Sequence, residues 1–411
     1  FAIGFMNFVF SLYYPALRFR KVPSEKEQAV IDLYKRKMTA LAVTIPRQMF
    51  LESFTFSRLC VDYDLTKVEN GLGILAGFSA IFTWPGMSFT LSRKILNVVE
   101  PRLRPDNLKP WIYFRFSEVI HHFFKGEWDR IQAYDEGLVD QSLKIGEFFY
   151  TTTYLDILCH SYIERGRIDL AEKCVQRILD IHATYEYDYA KDEYYFLKTL
   201  MLVKLRRIHQ ALRESNEGLA FARQHSYNPD LFSLLAFKSK AQILLDDLAG
   251  AEETLQELGR VLSKDKEVPL NRGWRLTSQL LLELRRLGLS SGASHRDGGA
   301  KKYRQARRLG RKAIRNSRKV ASERTEAYRC LGILEWMEGR QGRALKLWTK
   351  SLSEGARLGA QLELAWTYLE AGTRLREKAS RYREMNHLSA DELLAEAESL
   401  FRKMNVPPGE A

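Results

Sequence analysis

The chain has 411 residues, 45% of them hydrophobic and 12% aromatic, with only 25 glycines and 11 prolines. That composition excludes a disordered or collagen-like chain and favours a folded, helix-rich one. The formal net charge of +13 is unevenly spread: Lys301 to Lys319 holds ten basic residues and no acid, so everything outside it sums to +3.

In chain order, the opening run "FAIGFMNFVFSLYYPALRFRK" has an apolar stretch too short to span a bilayer, which takes about 20 residues, and no signal-peptide layout. It reads as the end of a longer upstream part, so residues 1–65 are expected to be an N-terminal helical region. Gly71 to Ser92 is 22 residues without a charge and contains a GxxxG at Gly73 and Gly77. Trp84-Pro85-Gly86 breaks it, and Pro-Gly marks a turn, so the pattern predicts two short helices packed as a hairpin rather than one span. The GxGxxxG in the same run follows no buried strand and does not predict a dinucleotide loop.

From Pro110 the pattern repeats every 35–40 residues or so as helix, tight polar turn, helix. "YLDILCHSYIERGRIDLAEKCVQRILDIHATY" turns at Gly166 and continues through Ala171, Val175 and Ile178. "AYRCLGILEWMEGRQGRALKLWTKSLSEGARLGA" places Gly332, Gly339, Ala344, Trp348 and Ser351 in sequence. Weaker copies surround Gly126, Ala211 and Ala251. Small residues let two helices approach, and a bulky neighbour fills the groove between hairpins. A lone hairpin cannot bury its apolar side, so the units are expected to stack.

These units resemble tetratricopeptide (TPR) repeats, best at 331–351 and more loosely over 110–405. The resemblance implies an all-α, right-handed superhelical solenoid of stacked antiparallel hairpins: degenerate hairpins over 66–287, a loop at 288–299, and C-terminal hairpins over 300–405. It also implies a concave groove lined by first helices, and carried onto 326–337 it gives Glu326, Arg329, Ile333 and Trp336 as groove residues. The run from Leu331 to Val406, with "LGAQLELAWTYLEAG" and "AESLFRKMNV", resembles the repeat tails of large bacterial signalling ATPases, in which a P-loop module precedes the repeats, often joined to a nucleotide cyclase or a protein kinase.

The basic segment at 300–320 reads as an amphipathic helix. Tyr303, Ala306, Leu309, Gly310, Ala313, Ile314, Ser317 and Val320 share one arc. Lys301, Arg304, Arg307, Arg308, Arg311, Lys312, Arg315, Arg318 and Lys319 share another. A membrane-surface helix needs bulky apolar residues to insert, whereas this packing arc is small. The segment takes the slot of a second helix, which puts its basic side on the convex surface.

No catalytic constellation is present in the sequence: it has no Gly-Lys dipeptide for a P-loop, no HExxH, no GxSxG and no CxxC. His121 and His122 are adjacent and point about 100° apart on a helix, so they do not form a ligand pair. The cysteines at 60, 159, 174 and 330 read as core residues. "YEYDYAKDEYY" (Tyr185 to Tyr195), with Asp188, Asp192 and Glu193, reads as a helix start whose tyrosines bridge core and water, or else as a groove for a cationic or peptide partner. The expectation is therefore a non-catalytic, cytoplasmic interaction, sensor or scaffold module of a bacterial signalling protein, without catalytic, cofactor or metal residues. The alternatives are a regulatory tail of a cyclase, kinase or P-loop ATPase, and a nucleic-acid-binding repeat protein. The expected partner is a protein or peptide, another domain of the same polypeptide included. Nucleic acid ranks below these, and any membrane contact is confined to the N-terminal run.

Overall fold

The computed structural model describes residues 21–406 except 69, 105, 226–228, 263–266 and 291–298, together with Met6 and Val9. The apolar opening run and most of the 288–299 loop lie outside the described residues. Residues 288–290 continue a helix.

Eighteen helices of the described residues form antiparallel hairpins stacked side by side into an all-α solenoid. The first pair is α1 (Glu25–Thr44) with α2 (Pro46–Val61). Next come α3 (Gly71–Thr83) with α4 (Phe89–Val99), then α5 (Leu108–Lys125) with the short α6 (Glu136–Lys144). The long hairpins follow: α7 (Phe148–Glu164) with α8 (Ile168–Tyr185), α9 (Asp188–Lys204) with α10 (Ile208–His225), and α11 (Pro229–Leu244) with α12 (Leu248–Leu262). The array ends with α13 (Pro269–Ser290) and α14 (Gly299–Asn316), α15 (Arg324–Met337) and α16 (Gln341–Leu358), and α17 (Gln361–Arg376) and α18 (Ala390–Lys403). The uncharged run at 71–92 is the expected broken hairpin, and no described helix is long and apolar enough to cross a membrane.

The turns explain why some repeats look degenerate. Gly166 and Gly339 hold φ of 71° and 78°, the left-handed conformation that glycine adopts without a Cβ clash. At the same place in the α9–α10 and α11–α12 hairpins stand Arg206 (φ 61°) and Asp246 (φ 58°). The backbone geometry is kept while the glycine signal is lost. Just beyond these turns, Ala171, Ala211, Ala251 and Ala344 are fully buried and let the second helix close on the first. Gly332 lies under the Trp348 indole, where an added Cβ would come within 2.4 Å of Nε1.

First helices pack on first helices along the array, from α7 through α9, α11, α13 and α15 to α17, and form an inner layer. Second helices pack mainly between flanking first helices and form the outer layer, where ion pairs such as Lys173–Glu136 and Arg223–Glu257 link neighbouring outer helices. The inner helices are buried almost all round: every residue from Thr151 to Glu164 is buried. The outer helices are amphipathic, and α14 is the most sharply divided. Its predicted packing arc is buried or half-buried, and its basic residues are exposed except for a half-buried Arg307.

The curvature brings the end of the array back onto its beginning. The Ala321 amide donates to the Phe124 carbonyl at 3.0 Å, and the Arg357 guanidinium donates to the Gly126 carbonyl at 3.1 Å. The α17 helix touches α7, and Gly166 sits against Met404 and Gln361. The concave side is thereby closed over rather than open to solvent.

Candidate functional site in the closed interior

Two groups of charged side chains face this interior, and they differ in one respect: one group is internally paired and the other is not.

The paired group lies where the C-terminal ends of α7, α9 and α11 meet the N-terminal ends of α15 and α17. Lys204 Nζ, on α9, is 3.0 Å from Glu164 Oε1 on α7 and 3.0 Å from Glu363 Oε1 on α17. Lys240, on α11, donates to Glu326 at 2.8 Å and to Glu323 at 3.4 Å, and Thr277 also donates to Glu323 at 2.8 Å. Arg329 donates to Glu363 at 3.1 Å. Arg206 sits over the Trp366 ring at 4.4 Å, a cation–π contact made in a desolvated setting. Lys204, Arg206, Lys240 and Arg329 thus face Glu164, Glu323, Glu326 and Glu363, and the formal charges cancel. Burial pulls the Lys204 ammonium down, but the surrounding carboxylates outweigh it and hold it above its ordinary value. Burial and the Arg329 charge lower Arg206 to about 10. The cavity left among these residues is about 20 Å³, room for about one water. Any larger occupant has to displace a side chain or open the array.

The unpaired group lies about two to three turns toward the N-terminal ends of α7, α9 and α11. Asp156 on α7, Asp192 and Glu193 on α9, and Asp230 on α11 are 5%, 0%, 4% and 5% exposed. Asp156 Oδ1, Glu193 Oε2 and Asp230 Oδ2 have no hydrogen-bond donor opposite them, and Asp192 and Asp230 lie within hydrogen-bond reach of each other, so that one can share a proton with the other. No lysine or arginine among the described residues pairs with any of the four. Burial raises the carboxyl groups of Asp156, Asp192 and Glu193, and their acidic neighbours raise them further. Asp230 is raised too, chiefly by burial. Tyr189 stands beside Glu193 and shares a 3.2 Å hydrogen bond with Thr153. Ionised carboxylates in such a place need a cation, and without one they stay protonated. The set can accept a cationic group, or donate hydrogen bonds as carboxylic acids. Among the described residues no cluster has the geometry to hold a metal ion.

Of the predicted groove residues, Glu326 and Arg329 are buried in the paired group. The other two are elsewhere: Ile333 packs between hairpins, and Trp336 stacks beside Trp348 while its Nε1 donates to Glu377 at 2.9 Å. The unpaired carboxyl set was named in sequence only through Asp192 and Glu193. Asp156 and Asp230 belong to it as well, and the sequence signal for them is an acidic residue inside a helix too apolar all round to present a wet face. The stretch at Tyr185 to Tyr195 therefore departs from a simple helix start, because Asp192 and Glu193 point inward. His121 and His122 are buried, bonded to Ser92 and to Glu127 and Arg93. The four cysteines are buried thiols.

No family model and no curated protein matches the chain. Solved structures do match. The Rap protein complexed with competence and sporulation factor superposes with a TM-score of 0.52 at 9% identity, covering 82% of this chain and 88% of that one. At that identity the likeness is one of fold: a helical-hairpin solenoid of similar extent.

Proposed function

We propose that the chain is a non-catalytic interaction module that takes an extended, cation-bearing peptide or protein segment into the interior of its solenoid, and that occupancy is passed on to an attached or docked effector domain. The observation that carries this reading is the set of four buried carboxyl groups on three successive inner helices, with no cation opposite them among the described residues. A Lys or Arg side chain, or a free amino terminus, supplies that missing charge. The balanced ion group beside it offers the paired polar contacts that a peptide backbone exchanges with during entry. That a Rap protein of similar fold is complexed with competence and sporulation factor supports a ligand-binding role for such an array. A cytoplasmic regulatory setting is part of this reading and rests on the resemblance, read from the sequence, of Leu331 to Val406 to repeat tails of bacterial signalling ATPases.

The test is selection from an unbiased library of five- to ten-residue peptides, followed by calorimetry on the purified chain. Selected peptides are expected to carry a Lys, Arg or free amino terminus, and Asp192→Asn/Asp230→Asn is expected to weaken them at least tenfold. Selected peptides without any cationic preference, or equal binding to the double variant, would refute the reading.

A further inference from the structure

The basic face of α14 is a second surface, on the outside of the array and independent of the interior reading. Arg304, Arg308, Arg311 and Arg315 follow one another at i, i+4, i+7 and i+11, a stripe about 17 Å long on a helix that rises ~1.5 Å per residue. With Arg307 and Lys312 they enclose a trough of about 460 Å³ whose lining, among the described residues, is these six cations. Arg304, Arg308, Arg311, Lys312 and Arg315 are exposed and have no acidic partner among the described residues.

The sixth residue shows what the face takes. Arg307 donates to Glu335 Oε1 at 3.0 Å and also pairs with Glu338. These are two carboxylates three residues apart at the end of the neighbouring helix α15. Where an acidic helical row reaches α14, it binds in a fork of guanidinium and carboxylate, a geometry that favours Arg. The remaining cations continue along the stripe with no carboxylate opposite them among the described residues.

We propose that this face docks an acidic α-helix of a partner protein, one carrying Asp or Glu at i, i+3 and i+4 spacing over about three turns. The pitch of such a helix matches the pitch of the stripe. A nucleic-acid duplex fits less well. The α14 helix is packed between α13 and α15 and cannot enter a groove as a free recognition helix does. The one aromatic residue of the segment, Tyr303, is turned inward with its hydroxyl toward the Met337 carbonyl at 3.4 Å, so stacking on bases is not available.

The test uses the full chain and three labelled probes in 150 mM salt: a 20-residue helical peptide with glutamates at i, i+4, i+7 and i+11, a scramble of identical composition, and a 20-base-pair duplex. Anisotropy should show the ordered peptide binding at least tenfold more tightly than the scramble. Arg308→Gln/Arg311→Gln/Lys312→Gln/Arg315→Gln should lose that preference with an unchanged circular dichroism spectrum, and Arg308→Gln/Arg311→Gln should lose part of it. Asp192→Asn/Asp230→Asn should bind the ordered peptide as the parent chain does, which separates this surface from the interior. Equal binding of peptide and scramble, tighter binding of the duplex, no binding of any probe, or an unaffected quadruple variant would each overturn the proposal.

Discussion

Lys204 is the side chain through which the array's middle is tied to its end, and Lys204→Met is the sharpest perturbation of the closed interior. Its ammonium bridges Glu164 and Glu363, the latter 159 residues away, with both contacts at 3.0 Å. At an effective dielectric of about 20, each contact has a gross attraction of about 5–6 kcal/mol. Desolvation offsets several kcal/mol for each of the three ions, so the intact group contributes little net stability. Removing the cation alone is another matter. Methionine fills the volume of the lysine stem but leaves Glu164, which is fully buried, facing only His160 at 3.8 Å, and leaves Glu363 with Arg329. Stranding a buried charge in this way costs about 3–5 kcal/mol.

The assay is urea unfolding of the parent chain, Lys204→Met, Glu164→Gln and the double variant, followed by far-ultraviolet circular dichroism and by tryptophan fluorescence. Trp274 and Trp366 lie beside the interior and report its opening. Lys204→Met should lose about 3–5 kcal/mol. The double variant should recover part of that loss, because no buried carboxylate is then left without its cation on α7. Fluorescence should change at lower urea than helicity in Lys204→Met, since the array opens before its hairpins melt. A loss below about 1 kcal/mol, the range of solvated surface pairs, would refute the premise that this ion group is dry. So would a double variant less stable than the sum of its parts.

The unpaired carboxyl set makes stability fall as pH rises. Its members have folded-state pKa values raised above the unfolded value of about 3.9–4.3. The folded chain therefore holds protons that the unfolded chain releases, and the associated stability is complete below pH ~4 and lost as pH climbs through the folded values. Asp230 is raised to about 7, which places the steepest part of its loss between pH ~4 and 7. Asp192→Asn/Asp230→Asn should accordingly be more stable than the parent chain at pH 8, with the gap closing toward pH 4.5. Urea midpoints at the two pH values check this, and a variant less stable at pH 8 would contradict it. Gly332→Ala tests the close approach of the α15–α16 hairpin. Its new Cβ meets the Trp348 indole ring rather than a flexible chain end, so a loss of about 1–3 kcal/mol is expected from overpacking. A changed near-ultraviolet tryptophan signal should accompany it.

The layered hairpin array was legible because its cause is local. A buried alanine after the turns at 166, 206, 246 and 339 and an outer helix with one apolar stripe are written within those units, and they survive even where Arg206 and Asp246 replace the turn glycine. The basic helix was legible for the same reason: its two arcs are a property of nineteen consecutive residues. The interior was not, because it depends on which residues of different units meet. Glu164 and Lys204 occupy the same place in repeats 40 residues apart, as do His160 and Lys240 in repeats 80 residues apart. Within one unit, each looks like a polar residue on a helix that otherwise reads as core. Only the stacking of α7 on α9 and α11 turns those single anomalies into neighbours, and only the curvature of the array adds Glu363 from its far end. A polar side chain inside a helix that is apolar all round is therefore the signal to read in such repeats. Aligned at the spacing of the turns, Asp156, Asp192, Glu193 and Asp230 fall on adjacent inner helices, and among the described residues they have no basic counterpart, which is the charge the proposed ligand would supply.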